Sequence, residues 1–403
     1  APGERPLGNS GGGDARGDAA AAAPPRETYE ALDSLRGIAA LAVTVWHFGG
    51  VTGRSVSTPL YLCVDFFLVL SGFVLTHAAD FAADPDELWP PWPKRMRFIG
   101  NRVARLMPLY VFAKFVASAS GQRCDWNGLN NPDWTVRWEF LLSILFGLLF
   151  SARTPSWLLV LAGICGQVAL LRTVGSLDTG TLGGGFLFGD CVRCGSSLVF
   201  GICAYRVFGT MRQGQLPSGG SGPSGGGALA ATAAEAAMLA IVGLLFCRDF
   251  RYHDFAMPWL FTLVVLCFAH QRGWVSQALC RLNFLGTISY STYLNHWAVV
   301  HTLVYFGLLP QTDSFLASLA VFWAALLPYS CLTYYVVEAP SRRLLRSLVA
   351  FFSSKLAALD DTRALHRQTY KQLGLDSPAA LAAAEANAFR VVEKEQGRLV
   401  LRL

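Results

Sequence analysis

The sequence predicts an all-α protein, a polytopic bundle of about ten transmembrane helices with both termini in the cytosol. Three observations predict it. Hydrophobic residues make up 53% of the 403 residues and charged residues only 15%, with a mean hydropathy of +0.39; a soluble protein carries roughly 25% charge. Apolar runs of about 20 residues, long enough to cross the hydrocarbon core as a helix, recur along the chain. The lysines and arginines of the short connections are shared unequally between the two sides. This composition excludes a coiled coil, a collagen-like fibre and a chain disordered throughout. The net charge of +6 would suggest acidic partners in a soluble protein. Here it fits cytosolic loops and lipid headgroups, and no nucleic-acid partner is expected.

Residues 1–30 are rich in Ala, Gly and Pro, cannot bury a core, and are expected to be disordered. The chain starts at Ala1, which suggests an incomplete start and leaves a lost targeting segment open. Residues 31–344 are expected to form the transmembrane domain, with spans near 35–51, 59–78, 99–118, 137–152, 155–171, 185–207, 229–247, 256–270, 284–309 and 314–337. Within it, residues 214–227 read as a flexible Gly/Ser/Pro loop. Residues 345–403 are expected as a cytosolic helical tail, with Leu345, Leu348, Phe352 and Leu356 on an apolar stripe. With the N-terminus inside, thirteen Lys and Arg of the short loops and span ends lie inside against six outside. An even number of spans then returns the C-terminus to the cytosol. No internal repeat is visible, which disfavours an inverted-repeat transporter.

Most of the ten cysteines sit in apolar runs, where free cysteine acts as a small hydrophobe, and no disulfide framework is expected. Cys191-Val192-Arg193-Cys194 has C-x-x-C spacing but no second pair; no metal site is predicted.

Chemistry is concentrated in a few polar residues inside apolar runs. Arg36 and His47 stand eleven residues apart on the first span. At about 100° per residue they share one helix face, roughly 16 Å apart along the axis. Arg36 falls at the cytosolic edge and His47 beyond the bilayer middle. An ionisable group at that depth is expensive and marks a candidate site; a neutral imidazole can take the proton of an alcohol nucleophile. The alternative is a histidine that only hydrogen-bonds between helices. Asp33, three residues before Arg36, is read as its ion partner. Arg102 and Arg105 share a face at the cytosolic start of the third span. They suit either phosphate oxygens or lipid headgroups. Ser71-Gly72 reads as a small-residue packing site, and Asp65 could face a polar cavity. Glu139 opens the fourth span, either orienting a histidine or acceptor hydroxyl or pairing with Arg137. His296 on the ninth span reads as a second buried histidine, with interhelical bonding favoured.

Taken in order, these blocks resemble the acyltransferase-3 family of membrane-bound acyltransferases. The resemblance rests on Leu32-Asp33-Ser34-Leu35-Arg36-Gly37 with His47 (the family's Arg-x10-His), Phe66-Phe67-Leu68-Val69-Leu70-Ser71-Gly72-Phe73, and Arg102-x-x-Arg105 with Pro108. It extends through Trp134-Thr135 with Glu139, Tyr290-Ser291-Thr292-Tyr293-Leu294-Asn295-His296-Trp297, and Glu338-Ala339-Pro340-Ser341-Arg342-Arg343. It implies a ten-helix bundle that moves an acyl group, usually acetyl, from cytosolic acyl-CoA to a hydroxyl across the membrane. The implied acceptors are carbohydrates, glycolipids or lipids. His47 and Arg36 would be essential, with His47 as general base, and Arg102 and Arg105 would meet the CoA donor. Two departures stand out. The stretch between the third span and Trp134 is shorter than is usual in relatives, and Asn295 replaces an apolar residue.

The sequence thus favours a multi-pass O-acyltransferase with His47, Arg36 and Glu139 as catalytic candidates and acyl-CoA as donor. A permease using the same polar residues as a pathway, and a catalytically degenerate family member, are the competing readings.

Overall fold

The structure, a computed structural model, describes residues 28–54, 56–79, 92–119, 133–175, 177, 187–213, 225–247, 253–310 and 314–372. The segment up to residue 27, loop residues 214–224, the short connection 120–132 and the tail beyond 372 lie outside them.

Among the described residues every regular element is helical. The first half comprises α1 (Glu30–Val51), α2 (Cys63–Ala78, entered by the 3-10 turn Leu60–Leu62), α3 (Trp92–Ala119), α4 (Trp134–Leu149), α5 (Ser156–Thr173) and α6 (Leu187–Gln213). The second comprises α7 (Gly225–Cys247), α8 (Met257–Ala269, entered by the turn His253–Ala256), α9 (Trp274–Cys280), α10 (Asn283–Tyr305), α11 (Phe315–Thr333) and α12 (Ala339–Gln372). A π-helical segment, Tyr334–Glu338, joins α11 to α12. Gly225–Gly227, expected in a loop, open α7, and α12 runs unbroken past residue 344, where a separate tail was expected.

A helix lies at each of the ten expected intervals. Six helical stretches are long and apolar enough to cross a bilayer, and α8 with α9, bent by 88° at their break, would make a seventh as one broken span. The helices α3, α4 and α10 fall outside that set. The first carries Arg102 and Arg105 within its length, the second has 16 residues, and the third is rich in Ser, Thr, Tyr, Asn and His. These three are the helices that carry much of the site described below. Elsewhere, large apolar side chains stand uncovered on α5 (Trp157, Leu161, Val168), α7 (Leu229, Ile241, Leu244) and the α11–α12 junction (Leu332, Tyr335, Val336), as expected of surfaces that face lipid.

Two crossings set the position of the site, and both depend on missing Cβ atoms. A Cβ on Gly37 of α1 would meet Leu285 of α10 at 2.5 Å, and one on Gly286 would strike the Asp33 backbone. A Cβ on Gly72 of α2 would strike the Leu198 carbonyl of α6, and one on Gly201 the Val69 carbonyl. The small-residue reading of Ser71-Gly72 is therefore a helix contact, made by Gly72. Gly286→Val would force the α1–α10 pair apart at a cost of about 1–3 kcal/mol or more. It should lower the thermal unfolding midpoint in detergent, and an unchanged midpoint would contradict this account of the crossing.

The helix α7 packs Met238, Leu239 and Val242 against the core and reaches α9 through Thr232, which accepts from the Trp274 amide (2.9 Å), and through one buried carboxylate. Glu235, 2% exposed, accepts from the backbone amides of Gly273 (2.8 Å) and Ser276 (2.9 Å) and from the Ser276 hydroxyl (2.5 Å). It thus caps the first turn of α9, where unpaired amides and the helix dipole favour an anion. Glu235→Leu leaves these donors unsatisfied, which costs about 1–3 kcal/mol. Glu235→Gln should cost less, since an amide oxygen still accepts; thermal midpoints of the two variants test this order.

Candidate active site

The site is built at the α1–α10 crossing. Arg36 reaches across it, donating from Nε to Ser289 Oγ (2.9 Å) and from Nη2 to the Gly286 carbonyl (2.6 Å), while Nη1 pairs with Asp33 Oδ1 (3.1 Å). The expected Asp33–Arg36 pair forms, and the guanidinium is fixed by two helices rather than one.

The residues Arg102 and Arg105 of α3 come to the same place with different freedom. Arg102 is buried, and its Nη2 lies 2.7 Å from Glu139 Oε1 on α4. Ser71 of α2 donates to that same oxygen at 2.7 Å. Glu139 therefore orients Arg102 and ties α2, α3 and α4 together. Among the described residues it contacts no histidine, and Arg137 instead turns to Asp133, 3.4 Å away. The Arg105 side chain is partly exposed and makes no hydrogen bond or ion pair among the described residues.

One cavity brings four of the five expected residues together: Arg36, Arg102, Arg105 and Glu139, with Ser71, Ser289, Tyr290, Tyr293 and Thr135. Its remaining wall is apolar, from Val64, Phe67, Leu68, Leu70, Val74, Leu106 and Val136. A second cavity shares Arg102, Arg105 and Val74 with it and adds Lys94, Arg97, Asn101 and Arg346. Among the described residues, five cations line this second space, an arrangement that suits an anion. A third cavity, of mixed charge, contains Asp33, Arg36, Arg105, Glu338 and Arg342. Arg105 lines all three.

The fifth residue, His47, does not line these cavities. It lies farther along α1, with Nδ1 3.0 Å from His296 Nε2 and the two rings stacked at 5.0 Å between centroids. Trp297 meets the His47 ring edge-on at 5.7 Å. His296 is fully buried, and its Nδ1 is 2.5 Å from the Tyr293 carbonyl. Tyr293 belongs to both places: its hydroxyl shares a 2.7 Å hydrogen bond with Thr135 Oγ1 at the cavity wall, while its carbonyl holds His296.

Other polar groups are accounted for structurally. Asp65, which could have faced a polar cavity, is instead fully buried against Arg193 Nη2 (2.7 Å) and Ser197 Oγ (3.0 Å). Arg193 sits between Cys191 and Cys194, both free thiols. Sequence reasoning missed Ser71 as a partner of Glu139, Tyr293 as the link to the histidines, and Arg346, which lay in the expected tail. For Ser71 and Tyr293 the available signal was a polar group inside an apolar run; for Arg346 nothing but its charge.

Residues 29–336, more than half of the chain, match the acyltransferase-3 family, described as an acyltransferase domain. The chain belongs to this family. One relative of this acyltransferase-3 protein is "Protein 2 in picA locus" of Rhizobium radiobacter, 39% identical over 95 residues, or 24% of this chain and 47% of that protein. The chain thus spans about half the length of that relative. No solved structure matches the acyltransferase-3 chain. The matched region runs from Tyr29, just before α1, to Val336, in the π-helical segment, and so contains Arg36, His47, Arg102, Arg105, Glu139 and His296.

Proposed function

We propose that this acyltransferase-3 protein is an integral membrane O-acyltransferase that moves an acyl group, acetyl in the simplest case, from cytosolic acyl-CoA to a hydroxyl of a carbohydrate, glycolipid or lipid. The proposal includes ten crossings, both termini in the cytosol, a transmembrane domain over residues 31–344, a disordered segment before it and a cytosolic tail after it. The observation that carries it is the cavity lined by Lys94, Arg97, Arg102, Arg105 and Arg346, which adjoins the cavity of Arg36, Arg102, Arg105 and Glu139. A nucleotide diphosphate with a further phosphate matches that excess of cations, and arginine forks suit phosphate oxygens. The apolar wall from Val64 to Val136 suits the uncharged arm that joins the phosphates to the thioester.

In the proposed reaction, Arg105, assisted by Lys94, Arg97 and Arg346, holds the donor phosphates. Glu139 keeps Arg102 aimed at the same space, and Arg36 closes the inner end of the α1–α10 crossing. His47 takes the proton from the acceptor hydroxyl as its oxygen attacks the thioester carbonyl. The C–S bond then breaks, and CoA leaves with a proton. A positioned base of this kind contributes about 10²–10⁴-fold. Only neutral His47 can act so; kcat should be full above its titration and fall as the pH drops through it. A pH profile with no acidic loss would contradict the assignment.

Binding tests the donor half separately. Purified protein in nanodiscs should bind acetyl-CoA, and bind acetyl-dephospho-CoA more weakly, because one phosphate is missing from the basic cavity. A permease that uses these residues as a pathway should bind neither form, and that outcome would overturn the reading.

A further inference from the structure

Beyond His47 itself, we infer that His296 is a positioning residue that fixes the tautomer of His47 and leaves Nε2 of His47 as the atom that accepts the proton. The inference rests on the proposed role of His47 as base. It follows from three atoms in a row. The Tyr293 carbonyl can only accept, so His296 Nδ1, 2.5 Å away, must carry a hydrogen. A neutral His296 then offers only a lone pair at Nε2. That lone pair faces His47 Nδ1 at 3.0 Å, so the hydrogen between the rings belongs to His47 Nδ1. The lone pair of His47 is left at Nε2.

Burial makes this order stable. His296 is fully buried, and its ring is fixed by the α10 backbone one turn earlier. The His47 side chain, unlike that of His296, keeps partial exposure. The pair also helps after proton transfer. Once His47 is an imidazolium, its Nδ1–H donates to His296 Nε2, an acceptor whose orientation is fixed by the Tyr293 carbonyl. An orienting group behind a catalytic imidazole acts in this way whether it is a carboxylate or another acceptor.

The test compares two substitutions and reads the tautomer directly. His296→Phe keeps a ring of similar size and removes the acceptor; kcat should fall by about 10²-fold or more, with the KM for acyl-CoA and the thermal midpoint changed little. His296→Gln can present its amide oxygen near the position of Nε2 and should recover at least a tenth of the wild-type kcat. In wild-type protein with isotope-labelled histidine, ring-nitrogen NMR should find His47 protonated at Nδ1. In His296→Phe it should shift toward the Nε2–H form that histidine prefers in water. Full activity of His296→Phe, equal loss in both variants, or an unprotonated His47 Nδ1 in the wild type would each overturn the inference. An active His47→Asn variant would instead overturn the reading of His47 as the base, so the two failures are distinguishable. If His296→Phe does not fold, the wild-type NMR measurement still decides.

Discussion

Replacing His47 with alanine is expected to lower kcat by about 10²–10⁴-fold, to background in an ordinary assay, while acyl-CoA still binds. The expectation combines depth and position. His47 is the only ionisable side chain on α1 beyond Arg36. It stands off the basic cavities and next to a buried acceptor rather than a cation. A histidine that only packed would leave the reaction rate near normal after truncation, with a loss in stability instead. The informative pair of measurements is therefore kcat and the thermal midpoint. Loss of kcat with an intact midpoint supports the base, and the reverse pattern assigns His47 to packing.

The second large effect separates two arginines that the sequence treats alike. Arg105→Ala removes a guanidinium that has no protein partner among the described residues and lines every cavity described. The loss of one or two charge-assisted hydrogen bonds to phosphate, about 1.5–3 kcal/mol, should weaken acyl-CoA binding roughly 10- to 100-fold, with no loss of stability. Arg102→Ala acts differently. It strips Glu139 of its cation and leaves that carboxylate, 21% exposed, with Ser71 as its remaining partner among the described residues. Breaking a buried pair costs roughly 3–5 kcal/mol, and the residual exposure of Glu139 puts this case at the low end. Arg102→Ala should therefore lower the thermal midpoint, and Arg102→Ala with Glu139→Gln should recover part of it. Equal midpoints for Arg102→Ala and Arg105→Ala would contradict this division.

Much of this was legible in the sequence because the hydrocarbon core makes polar residues conspicuous. Arg36, His47, Arg102, Arg105 and Glu139 stood out by their cost, and the structure gathers all but His47 at one cavity. The positions of helices were legible too, since apolar length is a strong signal. Partnerships were not. Glu139 had a nearby candidate in Arg137, two residues away on the same helix, yet it pairs with Arg102 across thirty-seven residues of sequence; the choice depends on which face of α4 meets α3. Glu235 gave no hint of its role, because the amides that it caps belong to α9 and become neighbours only when α7 docks. His296 was legible as buried but not as the partner of His47, since their meeting depends on the Gly37–Gly286 crossing, which sets the register of α1 against α10. In each case the residue type was visible and the tertiary neighbour was not.

The central claim is that acyl-CoA held at the Arg105 cavity gives up its acyl group to a hydroxyl through His47. Membranes from cells that produce the protein carry whatever acceptor those cells make, and they can be supplied with radiolabelled acetyl-CoA on the cytosolic face. The account predicts that label enters an O-ester, released by mild base, in membranes with the wild-type protein. It predicts no such label with His47→Ala at equal protein and equal donor binding. Equal labelling in the two preparations, or a folded wild-type protein that binds no acetyl-CoA, would contradict it.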